Sequence, residues 1–178
     1  MVSIFASGSL SASDAVQVRD STPSTPCPNS AKLRNICNLI TTRDRDKTRG
    51  SNFEYLYEKA IYEASCADYN ADGDALIAKK ISSMFESNRN RLLCHGVDFD
   101  VVEGNILKYA ISSRAFGLIN SAIEEWRVNL NWIDPDGTTL LDYIGSQIPR
   151  TKGTPNERMI KIYYDRVRRA GGRHRHEL

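Results

Sequence analysis

Helical periodicity fills this chain from Asn29 onward, in paired short segments separated by turn-forming residues at a recurring interval. Residues 31–40 place Leu33, Ile36, Cys37 and Ile40 on one face. The charged run Arg43-Asp44-Arg45-Asp46-Lys47-Thr48-Arg49-Gly50 interrupts the pattern. Ser51-Asn52-Phe53-Glu54 then reads as a capping box, opening a helix to about Cys66 with Phe53, Leu56, Tyr57, Ala60, Ile61 and Ala64 inward. A further helix is expected over 75–85 through Leu76, Ile77, Ile81 and Met84, and a short one through Leu92-Leu93-Cys94 that stops at Gly96. The second half repeats this scheme, with helices expected over 104–110, over 116–126, a short one starting over 138–144, and one over 157–170. Pro149, Gly153 and Pro155 mark an insertion between the last two. Gly104 and Gly137 lie 33 residues apart, and the pairs Asp98/Asp100 and Asn129/Asn131 lie 31 apart. Two helices per period of this length signal a stacked repeat. The expected fold class is all-α, with hairpin-like loops near 97–103 and 129–137.

Residues 1–30 differ from this. They hold eight Ser and three Pro, and too few large apolar side chains to offset the entropy of ordering. They read as a tail or a truncated secretory leader, since Ser11-Ala12-Ser13-Asp14-Ala15 has the small residues of a cleavage site without a basic front and apolar centre. Residues 31–178 then form a single domain. No run approaches the ~18 apolar residues of a membrane-spanning helix. The net charge of +2, from 24 Lys+Arg against 22 Asp+Glu, speaks against a dedicated nucleic-acid binder. Residues 98–142 nevertheless carry eight acids against three cations, whereas 157–178 carry seven Lys/Arg against three acids. The basic end suits the last turns of a helix.

Cys27, Cys37, Cys66 and Cys94 show no C-x-x-C spacing, so zinc-ribbon and thioredoxin-like readings fail. Buried free thiols would satisfy this pattern. An even count beside a leader-like start favours an oxidising compartment. Were a bridge to form, Cys37–Cys66 is the expected pair, because both residues fall on apolar faces of neighbouring helices.

The usual catalytic patterns are missing: there is no G-x-S-x-G, P-loop, H-E-x-x-H or dinucleotide fingerprint. His95 adjoins Cys94, but neighbouring residues on a helix point about 100° apart, and His95 reads as a helix-end cation. His174 and His176 fall in what reads as a frayed tail. Asp68-Tyr69-Asn70-Ala71-Asp72-Gly73-Asp74 satisfies the first seven positions of a calcium loop, yet Lys79 stands where the closing carboxylate belongs. An Asx-rich turn is expected there. The chain reads as a protein without catalytic residues, cofactor or metal.

The segment Asn129-Leu130-Asn131-Trp132-Ile133-Asp134-Pro135-Asp136-Gly137-Thr138-Thr139-Leu140-Leu141 resembles the ankyrin pattern in which a D-V-N strand leads to D-x-D-G-x-T-P-L. Asn131, Asp134, Asp136, Gly137, Thr139 and Leu141 match, whereas Leu140 replaces Pro and Asp142 replaces His. Gly96-Val97-Asp98-Phe99-Asp100 followed by Glu103-Gly104 resembles the same pattern with about two residues deleted. Asp72-Gly73 stands as an eroded third copy. The resemblance covers about 72–175 and implies a short, degenerate ankyrin-repeat solenoid, with 31–66 as a helical N-terminal cap. In overall appearance the chain resembles the periplasmic ankyrin-type immunity proteins of bacterial type VI secretion phospholipase effectors. That likeness implies one cognate lipase toxin bound 1:1 at its active site, in the periplasm, or in the cytoplasm if no leader is present. The alternative is a generic ankyrin interaction adaptor.

For such a binder, the expected surface is the tip and concave side of the second clear repeat. Trp132 and Ile133 stand where ankyrin tips carry small or charged residues, and aromatic residues are enriched among binding hot spots. Asp134 and Asp136 would form a polar rim for basic partner residues. The resemblance places Tyr109 and Tyr143 in the concavity with Ser112 and Ser113, and the acidic stretch adds Asp98 and Asp100. The competing expectation for Trp132 is a core position.

Overall fold

The computed structural model describes residues 27–43, 52–94 and 104–178, with the side chains of 41–43 and 52–55 excepted. Among the described residues the helices are α1 (Ser30–Arg43), α2 (Asn52–Ser65), α3 (Asp74–Asn88), α4 (Ile106–Ser112), α5 (Phe116–Glu124), α6 (Leu140–Thr151) and α7 (Glu157–Arg169). Two-residue strands, β1 (Leu93–Cys94) and β2 (Gly104–Asn105), pair antiparallel, with Leu93 opposite Asn105 and Cys94 opposite Gly104. The helical expectation therefore holds with three corrections. Leu93 and Cys94 are strand, preceded by a single 3₁₀ turn at Arg89–Arg91. Helix α6 continues through Pro149, because a proline in the last turn forfeits only one backbone bond. Leu56 and Leu76, expected inward, are exposed. The Ser51 capping box and the 97–103 loop lie outside the described residues.

Helices α4/α5 and α6/α7 are two hairpins laid side by side. Helix α4 packs against α6, while Phe116 of α5 stacks on Tyr163 of α7 with ring centroids 4.2 Å apart. Helix α1 packs against both α2 and α4, and α3 packs on α2. One apolar core runs through the whole array, from Leu33, Ile36 and Ile40 through Ile61, Ile81 and Phe85 to Leu107, Leu118, Leu141 and Val167. A single helix pair has one apolar face and nothing to bury it against, so stability comes from stacking.

Turns between elements are closed by residues in unusual backbone regions. Arg114, at φ +59°, follows α4, and the Ala115 N–H bonds the Ala110 carbonyl at 2.7 Å. The equivalent position after α7 is Gly171 at φ +95°, where the Gly172 N–H reaches the Val167 carbonyl at 2.9 Å. Both are six-to-one helix endings. Gly172 is also sterically required, since a Cβ there would stand 2.5 Å from a Val167 methyl.

The cysteines pair as Cys27–Cys66 and Cys37–Cys94, with Cα separations of 6.1 and 5.4 Å. The expected Cys37–Cys66 pair is thus wrong. Cys66 lies past the end of α2 in the left-handed region (φ +58°), off the apolar face, and meets Cys27 ahead of α1. Cys37, on α1, meets β1 instead. The bridges close 39- and 57-residue spans, so together they tie α1 to the end of α2 and to the entry of the second half. Peptide mapping of oxidised protein is expected to yield these two pairs, and reduction should lower the unfolding free energy by roughly 2–4 kcal/mol per bridge. A Cys37–Cys66 fragment would overturn the assignment.

Candidate partner-binding surface

The residues singled out around 129–143 come together in space, but most face inward. Asn105 begins the local architecture. Its side-chain oxygen accepts from the Leu107 and Lys108 N–H groups at 2.9 and 3.2 Å, capping α4. Its own backbone N–H and its amide donate to Asp134 Oδ2 at 3.0 and 2.9 Å. One residue thus starts a helix and fastens the loop that returns from α5.

Lys108 is fully buried, in the otherwise apolar run Ile106-Leu107-Lys108-Tyr109-Ala110-Ile111. Its Nζ lies 2.8 Å from Asp134 and 3.2 Å from Asp136. It also donates to the Thr138 hydroxyl at 2.6 Å and the Thr138 carbonyl at 3.2 Å. The turn carrying these acceptors closes with the Gly137 N–H on the Asp134 carbonyl at 2.8 Å, with Gly137 at φ +76°. Glycine suits that φ because it has no Cβ to clash. Burial opposes the charge on Asp136, but the Thr138 N–H, the Thr138 hydroxyl and Lys108 outweigh it and hold the carboxyl below its usual range.

These contacts correct the sequence expectation for the tip. Asp134 is buried and committed to Asn105 and Lys108, so its cation is internal and it is no rim awaiting a partner's base, whereas Asp136 bonds Lys108 and Thr138 from an exposed position. Trp132 is only 4% exposed. Its ring lies 6.0 Å from that of Phe85, and its Nε1 donates to Glu86 at 3.1 Å, so α3 receives it as core. Tyr109, Ser113 and Tyr143 are likewise buried, which removes them from a concave binding face, and Ser112 is half-buried. Ile133 remains outside at 46% exposure, with Pro135, Asp136 and Gly137 beside it. Asp98 and Asp100 lie outside the described residues, as does His95.

The last residues form a docked segment, contrary to the expected frayed tail. Thr139 caps α6 in a capping box with Asp142. The Thr139 hydroxyl also donates to the Arg173 carbonyl at 2.8 Å. Asp142 Oδ1 meets His174 Nδ1 at 2.7 Å and its Oδ2 accepts the Arg175 N–H at 3.0 Å. The other His174 nitrogen meets the Tyr164 hydroxyl at 2.9 Å. Asn131 adds bonds to the Gly171 carbonyl and the Arg173 N–H. Glu177 pairs with Arg168 and accepts the His174 N–H at 2.7 Å. An Asp–His–Tyr chain of this kind can relay a proton, but here both imidazole nitrogens serve to hold the terminal segment on α6 and α7.

The near-calcium loop is a turn. The Asn70 N–H bonds Asp68 Oδ1 at 3.0 Å, the Asp68 N–H bonds Asp72 Oδ2 at 2.8 Å, and Lys80 pairs with the same Asp72 carboxylate. Among the described residues no cluster of three or more His, Cys, Asp or Glu is arranged for a metal, and no helix is long and apolar enough to cross a membrane. No protein-family model, curated protein or solved structure matches the chain.

Lys108 carries a signal that sequence reasoning passed over: a lone ammonium inside a seven-residue apolar helix must find buried acceptors. Lys108→Met should cost about 3–5 kcal/mol in urea unfolding, because Asp134 would keep a buried charge without its counter-ion. Trp132→Ala should cost a similar ~3–5 kcal/mol as a core truncation. A loss below about 1 kcal/mol in either case would contradict this packing.

Acid should release the terminal segment. Partial burial disfavours the charge on Asp142, yet the Thr139 N–H, His174 and the Arg175 N–H draw its pKa down to about 2. Arg168, with help from the His174 N–H, draws Glu177 down to about 2 as well. Both folded values lie below the unfolded ones, so the stabilisation is complete above about pH 5 and is lost as pH falls through about 2. Melting curves between pH 5 and pH 2 should fall less steeply for Asp142→Asn than for the parent chain. Parallel curves would show that the carboxylate is not linked to folding.

Proposed function

We propose that this chain is a non-catalytic, ankyrin-type binding protein that neutralises a secreted phospholipase toxin by covering its active site. The observation that carries the reading is the pairing of all four cysteines in two bridges. Structural disulfides persist in oxidising compartments and are rare in the reducing cytoplasm. That favours the periplasm, where a lipase toxin would reach its phospholipid. The two stacked helical hairpins and the outward turn bearing Ile133 support a protein-binding role.

The decisive experiment pairs the chain with a lipase encoded beside its gene, both directed to the periplasm. Protection of the host and a 1:1 complex on size exclusion are expected. Ile133→Glu should weaken that complex at least about tenfold without lowering the melting temperature, as an anchor near the centre of an interface would. No lipase neighbour, or a toxin that kills unhindered, would overturn the reading.

A further inference from the structure

A groove of about 520 Å³ opens between α2, the turn that follows it, the start of α3 and the end of α5. Its walls are Tyr62, Tyr69, Asp74, Glu125 and Trp126, with Ile77 among the apolar lining. Tyr62 and Tyr69 meet edge to face, with centroids 4.9 Å apart and planes at 81°. Trp126 is held in the core by stacking on Phe85 at 6.1 Å, so this wall is rigid. Among the described residues the lining includes two carboxylates, from two different elements, and no Lys or Arg. Burial first, then coupling to the Tyr69 hydroxyl and the charges of Glu125, Glu58 and Asp74, pushes the Tyr62 hydroxyl upward in pKa.

Each acid also has a local role. Asp74 sits in the first turn of α3, where the helix dipole favours an anion. Glu125 accepts the Ser121 hydroxyl at 2.9 Å. Neither role explains why both carboxylates border an aromatic groove without a cation. Aromatic faces and carboxylates attract the same ligand chemistry, a weakly hydrated organic cation. A guanidinium fits best, because it stacks flat on a ring while its N–H fork engages carboxylates.

We infer that this groove receives an arginine side chain presented by a partner protein. A free small cation suits it less. Small-molecule sites bury roughly 70–90% of their ligand, whereas Tyr69 is 69% exposed and leaves one side of the groove open. An open, one-sided groove fits a side chain that remains attached to a second surface. The inference rests on the protein-binding reading above for its partner, and extends it by naming the chemistry recognised at this site.

The test titrates ¹⁵N-labelled oxidised protein with N-acetyl-arginine-N′-methylamide and with its neutral, near-isosteric citrulline counterpart. The arginine probe should shift the amides of Tyr69, Ala75, Ala78 and Glu125 saturably. The citrulline probe should need at least about fivefold higher concentration. The double variant Asp74→Asn/Glu125→Gln, at exposed positions, should lose that preference and melt within about 5 °C of the parent, the shift expected from losing one first-turn anion. Tyr69→Ala, which keeps both charges, should weaken the arginine probe alone. Equal response to both probes, shifts elsewhere on the protein, or an unchanged preference in the double variant would overturn the site. Tetramethylammonium binding more tightly than the arginine probe would overturn the tethered side chain in favour of a free cation. A toxin complex that forms while the arginine probe moves none of these amides overturns the groove alone. Saturable probe binding with no toxin complex overturns the proposed function alone.

Discussion

The ammonium of Lys108 is the constraint on which the second half of the molecule depends. A charge taken fully out of water is tolerated only when opposite charge and hydrogen-bond acceptors replace its hydration. Asp134, Asp136 and both oxygens of Thr138 supply that replacement, and all three residues belong to one short turn. The turn is therefore held against α4, and the path of the chain between the two hairpins is set. Trp132, two residues before Asp134, is carried into the core against Phe85 by the same placement. A local ionic requirement thus decides a long-range apolar contact.

The chain uses a related device at its end. After α5 it returns to the cap of α4, where Asp134 takes the Asn105 N–H. After α7 it returns to the cap of α6, where Thr139 and Asp142 hold Arg173, His174 and Arg175. Asn131 connects the two returns by bonding both Gly171 and Arg173. Residues 173–178 thus cover the start of α6 with hydrogen bonds and charge.

The first half is secured differently. Its three helices share the core, but two covalent links fix the ends, one joining the segment before α1 to the residue after α2, the other joining α1 to β1. With most of the tip residues turned inward to serve the fold, the features that face water among the described residues include the turn around Ile133 and the acidic aromatic groove at the junction of α2, α3 and α5. Both are rigidly backed, the first by Lys108 and the second by the Trp126–Phe85 stack. Preorganised surfaces of this kind lose little entropy on binding.

Helix content was legible in the sequence because apolar spacing of three and four residues reports one buried face wherever it occurs. The positions of Leu33, Ile36, Ile61 and Ile81 in the core follow from that pattern alone. The sequence also determined that Asp134 and Gly137 form a turn, since Asx residues and glycine favour that geometry locally. It did not determine what the turn faces. Whether Trp132 met water or Phe85, whether Asp134 awaited a partner's cation or Lys108, and whether Cys37 joined Cys66 or Cys94 were settled only when distant elements packed. Periodicity describes one segment against an unspecified interior, whereas ion pairs, disulfides and aromatic stacks need two segments in a particular register. That register exists only in the tertiary structure, because it is the joint product of burying every face at once.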